Sequence, residues 1–344
     1  MVARPLGEWD VKRVFRPEQG HERMLPNSIG IYSEAPEGEP AGLILEGDNL
    51  LLVGEKANFE LKGHDQYYNP FEIDENRVNW QGEGIIEIVG GEGTAESSGS
   101  IDLTVEYGSL KATLPLKVIG KRDIEVMKFL RDNDSLEVDA EYELGLNLTT
   151  SSGKRRNVPF EFVEWQFYGI EADRIEGQNK VRIGSLDEKF KQDGRAGFVI
   201  ARYEDYGVPY PVITEDFSPT DSSPVIKLTL GEREMEAGEE KMEMDVIPEV
   251  INGRTVVPVR FVSEALGSEV LWSREDRRAT VIKDKDWIDL WPGDNQMVIN
   301  GRAQWLDQEP VIRGGRTMLP LRAVGEALDL GVHWESETGN IYLQ

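Results

Sequence analysis

Two stretches of this chain are copies of one another. Val250–Trp272 reads VINGRTVVPVRFVSEALGSEVLW, and Ile312–Trp334 reads IRGGRTMLPLRAVGEALDLGVHW. Arg254 matches Arg316, Pro258 matches Pro320, Glu264 matches Glu326 and Trp272 matches Trp334, all at a constant offset of 62. The offset reaches further back, pairing Leu228, Gly231, Met235, Asp245 and Pro248 with Leu290, Gly293, Met297, Asp307 and Pro310. A repeat of this kind constrains architecture before it says anything of function.

Each copy predicts strands, a short helix and a closing strand. Ile226, Leu228 and Leu230 alternate with polar residues, as do Met242, Met244 and Val246, the period of half-buried strands. Pro258 is placed in the first turn of a helix, where a missing N–H does no harm. Val259, Val262 and Leu266 fall on one side of that helix, and Gly267 stops it. Asp329 stands where Gly267 stands in the first copy, and Asp enters left-handed backbone more readily than most residues. Val270 and Trp272 then point inward from the closing strand. So short a helix is marginal by itself and must lie on the sheet.

A length of 344 residues suggests two or three domains. The net charge of −26 opposes binding to nucleic acid or to an anionic membrane surface. The absence of cysteine excludes disulfides, thiolate catalysis and Cys-based metal sites. No apolar run reaches the length of a membrane span, and MVARPLGEWDVKRVFRPEQG carries no apolar core of a signal peptide.

Upstream of the repeats, two segments show period-two alternation broken by glycine turns. Phe59 and Leu61, Val78 and Trp80, and Ile101, Leu103 and Val105 mark the first; Tyr142 and Leu144, then Val163-Glu-Trp165-Gln166, mark the second. Trp80 and Trp165 are read as the core tryptophans of two β-sandwiches. Glu215–Pro224 is a linker by composition. The fold class is therefore mainly β and multidomain: sandwiches at 42–120 and 123–214, a linker at 215–224, and an α+β repeat pair at 225–344, divided into 225–286 and 287–344.

Three resemblances follow from these residues. GRTVVPVRFVSEALGSEVLW and GRTMLPLRAVGEALDLGVHW resemble the copper amine oxidase N-terminal-like domain, also called the stalk domain. The resemblance implies a projecting module remote from any copper, serving attachment or spacing in bacterial surface proteins, and calls for no cofactor. The two sandwiches resemble bacterial immunoglobulin-like domains, a class shared by many functions. RPLGEWDVKRVFRPEQGHERMLPNSIGIYSEAP, within residues 1–38, resembles the C-terminal edge of bacterial phosphodiester glycosidases, the N-acetylglucosamine-1-phosphodiester α-N-acetylglucosaminidase family. It departs from that family at Glu18-Gln19, and the Asp-Gly-Gly-Gly-Ser catalytic motif is absent, so no catalytic residue is assigned. Together these resemblances imply an extracellular or cell-surface location.

Candidate sites are few. His21, His64 and His333 are widely separated, and no metal site is assigned. Glu72–Asn76 lacks the spacing of a calcium loop, and Gly90–Gly93 is no phosphate loop, since no Lys-Ser follows. Arg260–Glu264 and Arg322–Glu326 have the spacing of structural helix pairs. Comparison of the copies singles out three tryptophans. Thr229 and Glu243 point outward from the first copy, and their partners in the second are Trp291 and Trp305. Trp287 shares the face of Trp291. Either the three rings are a binding face for wall polysaccharide or a surface protein, or they pack against the first repeat or its loop. The leading expectation is a non-catalytic surface protein with an attachment or spacer role. The rival is the tail of a phosphodiester glycosidase cleaving a sugar-1-phosphate diester, and a weaker third reading is a domain that positions a separately encoded enzyme.

Overall fold

The computed structural model describes residues 38–82, 84–131, 135–175, 178–215, 217 and 225–344. His21, the glycosidase-like stretch up to residue 37 and most of the proposed linker lie outside the described residues. The chain divides into two compact units, the second being Lys121–Gln344.

The first unit is a two-layer sandwich. One layer runs β1 (Pro40–Gly47), β3 (Lys56–Asp65), β7 (Glu92–Ala95), β6 (Ile86–Val89), with β4 (Pro70–Phe71) beside β3. The other runs β2 (Leu50–Leu52), β9 (Leu110–Ile119), β8 (Gly99–Tyr107), β5 (Val78–Gln81). The alternating apolar residues read from the sequence supply its core, with Leu45, Phe59, Leu103, Val105 and Leu116 buried between the layers. Trp80 is half-buried at the edge of that core, 6.4 Å from Phe59. Gly90 and Gly91 both take positive φ in the β6–β7 turn, which is why two glycines stand there. Asp74 caps a single 3-10 turn at Glu75–Arg77, so the acidic Glu72–Asn76 run is a turn.

The second unit begins with another sandwich of the same plan. Its strands are β10 (Ile124–Phe129), β11 (Ala140–Glu143), β12 (Leu146–Thr150), β13 (Arg155–Val158), β14 (Glu164–Tyr168), β15 (Ile170–Ile175), β16 (Lys180–Leu186), β17 (Gly197–Tyr203) and β18 (Tyr206–Val212), with helix α1 (Glu188–Gln192) between β16 and β17. β14, β17 and β18 form one sheet, as β5, β8 and β9 do in the first sandwich. β11 pairs with β16 and β12 with β10, dividing between two short strands the pairings that β3 makes alone. Trp165 is half-buried against Phe160 and Phe129.

The repeat pair completes the unit. The first copy supplies β19 (Ile226–Thr229), β20 (Glu234–Ala237), β21 (Glu240–Glu243), β22 (Glu249–Ile251), β23 (Arg254–Pro258), helix α2 (Val259–Ala265), β24 (Glu269–Ser273) and β25 (Arg278–Lys283). The second supplies β26 (Asp286–Leu290), β27 (Gln296–Ile299), β28 (Arg302–Trp305), β29 (Val311–Arg313), β30 (Arg316–Pro320), helix α3 (Leu321–Ala327), β31 (Val332–Glu335) and β32 (Asn340–Leu343). The copies exchange their ends. β24 and β25 extend the second copy's hairpins, while β31 and β32 extend the first copy's, through β25–β26 and β19–β32. At the centre β23 lies antiparallel to β30, with Val257 opposite its own counterpart Leu319, so a local two-fold axis passes between them. Arg254 pairs with Asp307 and Arg316 with Asp245, the same bond drawn twice across that axis. The repeated arginines and aspartates are thus a latch between copies.

The helices follow the sequence closely. Val259, Val262 and Leu266 are buried in the shared core, and Gly267 and Asp329 both take positive φ beyond the helix ends. Two expectations shift. Pro258 and Pro320 end their strands in extended backbone immediately before the helices, one position earlier than a first-turn proline. Trp272 and Trp334 lie on β24 and β31, the edge strands among the described residues, and are 43% and 39% exposed rather than enclosed. Among the described residues, no helix is long and apolar enough to cross a membrane.

Candidate functional site: the joint between sandwich and repeat pair

The outer face of the second copy's sheet is where the chain departs from its own symmetry. Facing residues on β24 to β28 alternate between two sides. Ala279, Val281, Ile288, Leu290 and Met297 point into the shared core. Trp287, Asp289 and Trp291 point the other way, at the sandwich.

Three contacts fasten the two modules. The first is backbone pairing. Val126 of β10 pairs with Arg302 of β28, and the Met127 N–H donates to the Gly301 carbonyl at 2.8 Å. Sandwich and repeat strands thereby join one eight-stranded sheet. Gly301 has positive φ, and a Cβ there would lie 2.4 Å from the Met127 carbonyl oxygen, so only glycine admits this approach. The fully buried Tyr206 sets its hydroxyl 3.0 Å from the carbonyls of both Glu125 and Gly301, bridging β10 and the turn that leads into β28. Burial pushes that phenol well above its ordinary range, so it stays a protonated donor.

The second contact is a buried charge network. Arg202 of β17 places Nη1 2.9 Å from Asp289 Oδ2, with side chains 3% and 0% exposed. Asp289 Oδ1 accepts from Thr280 at 2.6 Å and from the Trp287 indole N–H at 3.1 Å, with Arg278 Nε 3.4 Å away. Arg202 also donates to Gln166 at 3.0 Å. A Cβ on Gly207 would collide with Arg202, so glycine again makes room.

The third is aromatic. Trp287 is buried with its ring 5.4 Å from Phe198 and edge-on to Tyr168 at 5.9 Å. Phe217 of the connecting segment packs on the same cluster, beside Ile282 and Ile200. Next to it Arg195 reaches Glu269 at 2.5 Å. Burial pushes the Glu269 carboxyl up, but hydrogen bonds from Tyr168 and Arg195 outweigh it and hold the group below its usual range. Asp193, Arg195, Phe217 and Asp284 line a cavity of about 180 Å³ at this seam. Further along, the Lys121 ammonium sits 3.2 Å above the Trp291 ring centre and pairs with Asp294, which also holds Arg122. Burial lowers the affinity of Lys121 for its proton, against the pull of Asp294.

The expectation of three outward tryptophans is therefore corrected. Side-chain parity does place Trp287, Trp291 and Trp305 on one face, away from the repeat core. Trp287 and Trp291 are only 4% and 6% exposed, because the second sandwich and Lys121 cover them, while Trp305 remains 54% exposed. The cover is mainly the sandwich, to which Leu271 and Ile282 of the first repeat add one flank beside Trp287. The anchoring residues Arg202, Tyr206, Asp289 and Gly301 escaped the sequence reading. The signal was available at the 62-residue offset, where Val225, Lys227, Thr229 and Glu239 become Trp287, Asp289, Trp291 and Gly301. His64 and His333 lie in different units, and no cluster of three or more metal-ligating side chains occurs among the described residues. Arg260 bonds Glu264 at 2.9 Å, the helix pair read from the spacing.

Comparison with known proteins adds to this geometry. Residues 218–281 and 236–343 match the copper amine oxidase N-terminal domain family, which accounts for the repeat pair and leaves residues 1–217 untouched. No curated protein is matched by the sequence. Domains 4 and 5 of the S-layer protein SbsC align with 51% of this chain and 98% of their own, at 16% identity and a TM-score of 0.26. Domains 4–9 of that protein align over 78% of this chain and 46% of theirs, at 14% identity and 0.26. The Yersinia pseudotuberculosis adhesin InvE aligns over 73% and 74%, at 12% identity and 0.22. Scores this low leave the architecture to the chain's own strand pairing.

Proposed function

We propose that this chain is a non-catalytic module of a secreted or cell-surface protein, serving attachment and spacing, in which the second sandwich and the repeat pair act as one rigid body. The observation that carries the reading is the Arg202–Asp289 pair, closed at 2.9 Å and withdrawn from solvent between two modules. Domains joined in one chain move relative to one another by default unless their interface is large and apolar. Removing two charges from water is costly, and that cost is recovered only when their geometry is fixed. A buried pair at a joint therefore selects one orientation, and the shared sheet and the Trp287 cluster hold it. The family match over the repeats supports the stalk-like role. Their recurring residues are spent on the core and on the inter-copy latch.

Hydrogen exchange on the whole chain tests rigidity. Amides of β10 and β28 should be released together, in the transition that unfolds the entire second unit. Separate release of sandwich and repeats would remove the rigid-body reading. Protease treatment of intact producing cells tests location: the protein should be cleaved without lysis, and protection until lysis would overturn a surface role.

A further inference from the structure

The sandwich does not cover the whole outer face of the second copy. Gln296 of β27 stands opposite Trp305 of β28, and Trp291 follows Leu290, which is opposite Met297. Parity thus sets Gln296 of β27, Trp305 of β28 and Trp291, the residue after β26, in one row. Trp305 is 54% exposed and Gln296 fully buried beside it. Neither Gln296 Nε2 nor Oε1 has a hydrogen-bond partner, and neither has Trp291 Nε1. Buried polar groups are almost always paired, and an unpaired amide is a standing cost that an apolar side chain of similar size would remove. The first copy has Thr229, Glu234 and Glu243 at these three positions, so the row belongs to the second copy alone.

We propose that this row is a contact site for a neutral saccharide. A pyranose offers a flat apolar face for the Trp305 indole, and its hydroxyls both donate and accept, as the Gln296 amide and Trp291 N–H require. Trp305 stands directly opposite Gln296 on the neighbouring strand and, being exposed, changes rotamer within nanoseconds. Neutral sugar fits better than acidic polymer. Lys121 and Arg122 are already paired with Asp294, and the chain carries a net charge of −26. The site goes beyond the spacer reading, since the joint is rigid with or without a ligand.

The test is titration of the whole chain with cellohexaose, mannohexaose and the hexamer of N-acetylglucosamine, followed by tryptophan fluorescence and calorimetry. At least one should bind saturably. Trp305→Ala should weaken it about tenfold or more, whereas Trp272→Ala, which removes a comparably exposed indole elsewhere, should leave it unchanged. Gln296→Leu should also weaken binding by about tenfold while the unfolding midpoint holds or rises. Absence of binding by all three sugars would overturn the proposal. So would equal losses in the two tryptophan variants, or a Gln296→Leu chain that gains stability and keeps its affinity. The hydrogen-exchange result at the joint is independent of every one of these outcomes.

Discussion

The two copies share a core and differ in what their outer faces meet. In the first, β19, β20 and β21 present Lys227, Glu234, Glu236 and Lys241, linked by half-exposed and exposed ion pairs. β21 is the edge of its sheet among the described residues and bears Glu240, Lys241 and Glu243, the kind of charged edge that resists further strand addition. In the second, the matching edge β28 accepts β10, and the matching face buries Trp287, Trp291, Asp289 and Gln296. The same scaffold is thus a closed surface on one side and a socket on the other. Substitutions at 287, 289, 291 and 301, together with those at 296, 298, 303 and 305, separate the two.

The sharpest way to break this contrast is Asp289→Ala. It strands Arg202 without its partner in a dry joint, and about 3–5 kcal/mol of stability should disappear from the second unit in calorimetry. Lys227→Ala, the same position in the first copy, should stay within about 0.5 kcal/mol. Gly301→Ala comes next. Positive φ and the collision with the Met127 carbonyl should cost roughly 1–3 kcal/mol, and exchange at β10 should quicken. Its counterpart Glu239→Ala should alter neither.

Acid should sharpen the comparison further. The Glu269 carboxyl is held below its ordinary range in the folded chain, so its contribution is complete above the unfolded value and is lost as pH falls through the folded one. Loosening at the Arg195 side of the joint should therefore set in below the usual glutamate range, and Glu269→Gln should remove that part of the acid dependence. The smallest effect should come from Arg254→Ala or Arg316→Ala. These latch residues are partly exposed, and each should cost about 0.2–1 kcal/mol, alike in the two copies. Unequal losses would show that the socket side strains the latch.

Much of the repeat pair was legible because local pattern determines it. The periodicity of Val259, Val262 and Leu266, the stop at Gly267 and the left-handed Asp329 all follow from short-range sterics and burial. The joint was half legible. Parity correctly put Trp287, Trp291 and Trp305 on one side, but parity cannot say what lies on that side. That depends on β10, more than 170 residues upstream of β28 in the chain. Asp289 was the overlooked clue. A carboxylate between two tryptophans on an outward face is poor company for water-exposed rings, yet it is suited to a dry socket entered by an arginine.

The adjacency of β19 and β32 has a mechanical meaning. Ile226 faces Leu343 and Thr229 faces Asn340, so the first and last strand residues of the pair meet at the same end of one ladder. A pull applied through those two ends would open that ladder like a zipper, one bond at a time. A pull arriving through β10 and β28 would load the buried socket. The same module is soft along one line of force and stiff along another, so where a load is attached decides how much it bears.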